Sequence, residues 1–562
     1  MSTAVELRIR EAHLRLSATV AGASFSNEKI SHSLSSQSAV LRVIALGYDP
    51  LIMLRVTRYA WMRLVMAGLF ELGCAGFLWG VPPQSGESPQ QAGESLDAGE
   101  AAAQISVRGA ACTEARIKSA ISAVAATGGG IVNVYCPGTH NISSNLWSGV
   151  TAPTKVVFGP GTFTVSAQQI LPDNTEVAGS GFGTVFRIDA KVSFHKAFDC
   201  GLFSNVLNDG VHRKDKNSGI SLHDFKIDGR NNLLSTGGIT FYNIEESSIH
   251  DLYVQGVWLS GIDLRNASGV DVRDNWCVDC AMVGAPQHAI GGGVNGPDDV
   301  FIYNKFTRNH MSGGGGNAAR GADQFDIFGQ GLGGNQRCGF NVINDNTLDA
   351  APTVGIFLDT CNHNTVTGNV IRNAGTIGIA CTSGRFNLDG GCAFNHFSNQ
   401  IQNPGTQGYM FSFTFDNVIT GGEIYGAGKE AILLNDSIRT KVENVSMYAA
   451  SQSDPRKYCA VTINADQVKG YSMDNTVQNN TLTDKNIRGE YQNKMKTGVC
   501  ITRAEKASAA NIRSNVIEQN RIDGGDPGSY KDGVYDMGMY TLAFCNAYGG
   551  DGTGFKCEVE HK

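Results

Sequence analysis

A six-residue pattern, apolar, any, any, Asn, any, apolar, recurs along the chain and limits what it can fold into. It occurs at Val272–Cys277, Phe301–Phe306, Ile343–Leu348, Val366–Ile371, Val477–Leu482 and Ile517–Ile522, with an imperfect copy at His396–Ile401. Many copies follow a second frame, Gly, apolar, any, apolar, as in Gly261–Leu264, Gly355–Leu358 and Gly378–Cys381. Relaxed versions begin at Gly238, Gly408, Ala431 and Gly498. Each unit thus holds two short strands of period two. A unit this small cannot bury its own apolar residues, whereas stacked units bury one continuous column. Asn suits the turns, because it tolerates a left-handed backbone and its amide can bond to the next coil. A leucine-rich horseshoe needs helices or a Leu-dominated consensus, and a propeller needs antiparallel blades; the sequence has neither pattern. The expected fold is all-β: a right-handed parallel β-helix of about ten to twelve coils, with variable loops between strands.

Composition agrees. The 562 residues include 69 glycines, with 41% hydrophobic and 17% charged residues, which excludes a disordered chain, and glycine without a three-residue period excludes collagen. A net charge of -7 supplies no basic field for nucleic acid.

The first 80 residues differ in character. Arg55, Arg58 and Arg63 precede the apolar stretch Leu64–Trp79, which reads as a secretory signal too short for a membrane span. Its depth in the chain suggests a true start at Met53 or Met62. Residues 81–103 read as a flexible linker, and residues 104–562 as the β-helix domain. The expectation is a secreted, extracellular or periplasmic, monomeric protein with no stable membrane association after leader cleavage. Some cysteines then form disulfides, with Cys545–Cys557 the expected pair. Cys277 and Cys280 are expected to be buried as small apolar residues rather than to bind a metal.

An open coil needs capping. Thr113 can N-cap a helix through Ile117, Ile121 and Val124 that ends at Gly128–Gly130, so a cap helix is expected over 113–127 and a C-terminal cap at about 540–562. This helix, the Thr127–Gly130 turn, Pro137–Thr139, its echo Gly159–Phe163, Gly179–Val185 and Phe225–Gly229 resemble the pectate-lyase-like superfamily, in the branch related to rhamnogalacturonases and polygalacturonases. With the later coils the resemblance covers most of the chain after residue 104. It implies the same fold and a polysaccharide substrate. The polygalacturonase motifs Asn-Thr-Asp, Asp-Asp, Gly-His-Gly and Arg-Ile-Lys are not found together; Arg116-Ile117-Lys118 falls on the cap helix.

Outward residues of stacked strands lie about 4.8 Å apart on one face, which suits an extended polymer. The frame places Ile356 and Leu358 inward, with Phe357 and Asp359 outward. On the preceding coil Asp326 and Phe328 then face out. One coil and two residues separate Asp326 from Asp359, roughly 8 Å, within the range of about 6.5–9.5 Å used by inverting glycoside hydrolysis. Asp323 replaces Asp326 if the register shifts by one. His288 opens the preceding coil. His310 and Arg320 flank the glycine run Gly313–Gly316, which could close over a substrate. Asp263 and Arg265 lie upstream on the same lane, as sugar binders or as a structural ion pair. Tyr242, Phe328 and Phe357 offer rings to a sugar, or pack against loops.

The leading expectation is a glycoside hydrolase with Asp326 and Asp359 as acid and base and no cofactor. The alternative is a polysaccharide lyase or uronate epimerase, with His288, His310 and Arg320 leading and calcium held by the aspartates. A third reading is a non-catalytic adhesin or tailspike-like binding protein.

Overall fold

The computed structural model describes residues 103–562, apart from 195–200, 206–215, 233, 235, 283–286, 295–297, 315–322, 330–336, 384–390, 467–469, 487, 491, 493, 506, 525–532, 549–559 and 562. The leader, most of the linker, Arg320 and Cys557 lie outside the described residues. Among the described residues two sheets of 30 and 19 strands run in parallel pairing, save for one antiparallel pair between Leu542–Phe544 and Glu560–His561 at the C-terminal end, and the chain is a right-handed parallel β-helix. A typical coil gives one long strand to the smaller sheet and two short ones to the larger, as in Ile262–Ser268, then Asp271–Arg273 and Trp276–Val278; in some coils the long strand is split in two, as in His288–Gly293 and Val300–Ile302. One ladder of the larger sheet carries sixteen successive parallel strands from Ala103–Arg108 to Leu542–Phe544. That exceeds the ten to twelve coils expected, because the first rungs form without the Asn pattern.

The first coils are plugged by helix α1 (Glu114–Ala126), which buries Ile117, Ala120, Ile121 and Val124. Thr113 caps it, its hydroxyl accepting from Arg116 N at 3.4 Å. Val124 O accepts from Gly129 N, and the chain leaves through left-handed Gly128 and Gly129. Inside, Phe158, Phe186 and Phe225 pack edge to face at 5.0 Å. Among the described residues, no helix is long and apolar enough to cross a membrane.

The patterned asparagines form buried ladders. Asn309 Nδ2 donates to Asn346 Oδ1 at 3.0 Å, and Asn346 Nδ2 to Asn369 Oδ1 at 2.9 Å. A second ladder joins Asn304, Asn341, Asn364 and Asn395. The left-handed backbone, expected at Asn itself, falls one residue earlier: Asp274, Tyr303, Asp345, Asn479 and Gln519 have φ between 55° and 58°. That twist turns each Asn inward, where its amide spans two coils.

Cys277 and Cys280 are buried as expected, and they are also bonded to each other. Four further disulfides join Cys112–Cys136, Cys338–Cys361, Cys381–Cys392 and Cys459–Cys500.

Candidate functional site

Five consecutive strands of the smaller sheet build the site: β1 (Gly237–Glu245), β2 (Ile262–Ser268), β3 (His288–Gly293), β4 (Asp323–Phe328) and β5 (Ile356–Asp359). Their inward residues, Phe241, Leu264, Ile290, Phe325, Ile327, Ile356 and Leu358, are buried, which fixes the opposite face. Two outward lanes result. One runs Asp263, Gly291, Asp326, Phe357; the other runs Tyr242, Arg265, Gly293, Phe328, Asp359. Asp326 and Asp359 therefore stand one coil apart and two residues out of register, as the alternation predicts.

The glycines of β3 leave a gap in the side chains of both lanes, although the backbones beneath are too close to admit even a Cβ. A Cβ on Gly291 would lie 2.0 Å from Asp326 O, and one on Gly293 would lie 2.2 Å from Phe328 O. Across this gap the Arg265 guanidinium reaches the Phe328 ring, 4.5 Å from its centroid. Arg265 Nε also stands 2.7 Å from Asp263 Oδ1, a charge contact without aligned hydrogen-bond geometry. His288 is fully buried, its Nε2 3.3 Å from the same oxygen. Burial pushes the Asp263 carboxyl up, but Arg265 and His288 outweigh it and hold the group below the usual range.

The other carboxyls behave oppositely. Asp326 is crowded on all sides yet keeps part of its surface open, and its Oδ1 is sealed from solvent with no hydrogen-bond partner. Burial, then the charges of Asp323 and Asp359, raise it well above the usual carboxylate range, with Arg265 opposing. Asp359 is raised to about 6 by burial, although the Thr360 hydroxyl donates to its Oδ1 at 2.8 Å. One surface thus holds a carboxyl that ionises early beside two that keep their protons to higher pH than usual, a separation of roles typical of acid–base sites.

Asp323 aligns with His288 but is tied down: it accepts from the Thr353 hydroxyl at 2.6 Å and from Val354 N at 3.2 Å, bracing the next coil. His310 is a correction. Its strand, His310–Ser312, belongs to the larger sheet, between Trp276–Val278 and Thr347–Asp349, and its ring lies 4.0 Å from that of Trp276. Only the first strand of each coil joins the site face, and His310 is on a later one. Tyr242 is nearly buried, while Phe328 and Phe357 stay partly exposed. The gap made by Gly291 and Gly293 escaped the sequence reading; the run Gly291–Gly293 directly after His288 was the available signal.

No family model matches the chain, and no curated protein matches its sequence. Among solved structures, pre-mature gene product 12 of bacteriophage phi29 aligns at 14% identity with a TM-score of 0.51, over 72% of this chain and 55% of that one. The shared fold is the parallel β-helix. The A-module of mannuronan C-5 epimerase AlgE4 from Azotobacter vinelandii aligns at 14% identity and TM-score 0.45, over 76% of this chain and 95% of that one. A hyperthermoactive exopolygalacturonase from Thermotoga maritima aligns at 10% identity and TM-score 0.31, over 82% and 95%. At these identities the likeness is one of fold.

Proposed function

We propose that this β-helix binds an extracellular polysaccharide along the face of β1–β5 and hydrolyses a glycosidic bond between Asp326 and Asp359. The observation that carries the reading is this pair on adjacent coils, both retaining protons beyond the usual range, beside an ion pair that keeps Asp263 charged. Strand geometry sets them roughly 8 Å apart, room for a water on one side of the bond and the leaving oxygen on the other. Asp326, with its sealed Oδ1, is the acid that protonates the leaving oxygen. Asp359, ionised above about 6, is the base that takes a proton from water. As Asp326 becomes a carboxylate, Arg265 stabilises it across the β3 gap. Phe328 and Phe357 offer ring surface to the sugar. The five disulfides among the described residues suit an oxidising, extracellular or periplasmic setting.

The test is a panel of neutral and uronate-rich polymers on which reducing ends and ultraviolet absorbance are recorded together. New ends without absorbance are expected. Absorbance would identify an unsaturated product and replace hydrolysis with elimination, and retention without new ends would leave a binding protein. Asp326→Asn is expected to lower kcat by about 10²- to 10⁴-fold at unchanged circular dichroism; unchanged turnover would remove Asp326 from the role.

A further inference from the structure

Where a coil leaves the smaller sheet it turns a corner through one residue with a left-handed backbone. Backbone bonds align these corner residues from coil to coil: Glu246 N donates to Ser268 O, Gly269 N to Ile302 O, Phe340 N to Asn362 O and Phe394 N to Phe415 O. Gly and Asp take this conformation readily, while bulky side chains resist it. Tyr303, Phe340, His363 and Phe394 nonetheless hold φ between 54° and 58° on four successive coils. Their rings form a pile: Tyr303 lies 5.5 Å from Phe340, and His363 lies 4.8 Å from both Phe340 and Phe394. The pile is on the surface, with Tyr303 60%, Phe340 47% and Phe394 49% exposed. Burial between two rings lowers the His363 imidazole from its usual 6.5, so the pile is uncharged at neutral pH. Backbone strain kept in an exposed apolar row points to a binding role.

One end of the pile is open. The Tyr303 ring has Phe340 on one face, and on the other side the preceding rung is Gly269, where a Cβ would meet only Glu246 N, at 3.9 Å. Across that rung stands Glu246, exposed and, among the described residues, without an ion pair or a side-chain hydrogen bond.

The molecule shows twice what such a rung can hold. Further along this column Arg439 follows Asp416 by one coil, and its Nε and Nη2 donate to the two carboxylate oxygens at 2.7 Å and 2.6 Å. At the corner between the two strands of the larger sheet, Arg308 does the same to Asp274, both bonds being 2.7 Å. Both arginines hold the left-handed backbone, at φ 51° and 54°. In each case an acidic corner residue is covered by a guanidinium from the next coil. Glu246 is followed by Gly269, so its carboxylate has no such cover, and the ring face of Tyr303 beyond the rung attracts a cation.

We propose that the Gly269 rung receives the guanidinium of an arginine on a protein partner, held between the Glu246 carboxylate and the Tyr303 ring, with the segment that carries it laid along the edges of Phe340 and Phe394. A guanidinium is planar, so it can pair two N–H groups with one carboxylate and stack on a ring at the same time. From Gly269 to Phe394 there are four coil spacings of about 4.8 Å, the length of about six extended residues. The partner therefore contributes a short extended segment with arginine at one end and apolar side chains along it. This surface is used whether or not a sugar is cleaved on β1–β5.

The test uses the full chain and saturation-transfer difference NMR with three probes: the hexapeptide acetyl-Arg-Thr-Leu-Thr-Leu-Thr-amide, the same peptide with neutral citrulline in place of arginine, and L-arginine amide. The arginine peptide is expected to bind saturably at millimolar concentration, and the citrulline peptide at least about fivefold more weakly. Glu246→Gln and Tyr303→Asn should each remove about three- to fivefold of the arginine peptide's affinity. Gly269→Arg fills the rung on a backbone that Arg308 and Arg439 already adopt, and should make the two peptides indistinguishable. Gly421→Arg, the same change at a left-handed glycine elsewhere on the solenoid, should leave the preference intact. Melting temperature is compared for every variant, and Glu246→Gln, at an exposed side chain, remains decisive if Gly269→Arg does not fold. No saturable binding, equal binding of the arginine and citrulline peptides, or an arginine preference that survives Glu246→Gln would overturn the proposal. Arginine amide bound as tightly as the hexapeptide would overturn the protein segment as the occupant.

Discussion

At the turns, Asn309, Asn346 and Asn369 repeat one residue type, and each amide satisfies the coil beside it. On the outward lanes of β2–β5, by contrast, Arg265, Gly293, Phe328 and Asp359 follow one another with no repetition, and Asp326 Oδ1 is left unbonded. Both columns arise from the same stacking. The first uses the periodicity to satisfy buried polar groups in series, while the second departs from it and gathers unlike charges within a few ångström. Stability thus resides in what is uniform from coil to coil, and reactivity is concentrated where uniformity stops.

The contrast can be broken most forcefully at Arg265. Arg265→Met strands the Asp263 carboxylate in a site where both side chains are at most 10% exposed, and about 3–5 kcal/mol of stability should be lost on urea unfolding. A loss near zero would mean that the ion pair does not hold these coils. Next comes Asn346→Leu. It removes a donor to Asn369 Oδ1 and to Phe306 O, together with the acceptor for Asn309; about 2–3 kcal/mol should go, with no change in any polysaccharide activity per folded molecule. Reduced activity at full folding would show that the two columns are coupled.

The narrowest effect, confined to one pH window, is the pH response of Asp359. Its carboxyl is raised from the usual 3.8 to about 6 in the folded chain, so between those values the folded state holds a proton that the unfolded state has released. Stability from this group is therefore greatest in acid, falls as pH rises from about 4 to about 6, and is flat above. Relative to Asp359→Asn, the wild type should lose melting temperature across that window. A gap of the opposite slope would mean that the carboxyl is not buried as described.

Much of this was legible in the chain. The Asn pattern and the Gly, apolar, any, apolar frame placed Ile356 and Leu358 inside and Asp359 outside, and the same alternation carried Asp326 to the neighbouring coil, because period two leaves no third choice. The cap helix was legible because Thr113 and Gly128–Gly130 bracket it. His310 was expected to reach the site through closure of the glycine run that follows it; it lies instead on a strand of the larger sheet, because a glycine run shows where a chain can bend and not which face of the coil its neighbours occupy.

Sequence by itself determined the solenoid, its buried asparagine ladders and the outward direction of Asp326 and Asp359, since these follow from local periodicity repeated often enough to be unambiguous. Tertiary structure decided the company those aspartates keep. The Gly291–Gly293 gap, the reach of Arg265 over Phe328, the burial that makes Asp359 titrate near 6 and the open rung that Gly269 leaves between Glu246 and Tyr303 all depend on which coil lies above which. Coils stack in chain order, but which residue lies above which is fixed only once each turn, with its insertion of unequal length, has closed.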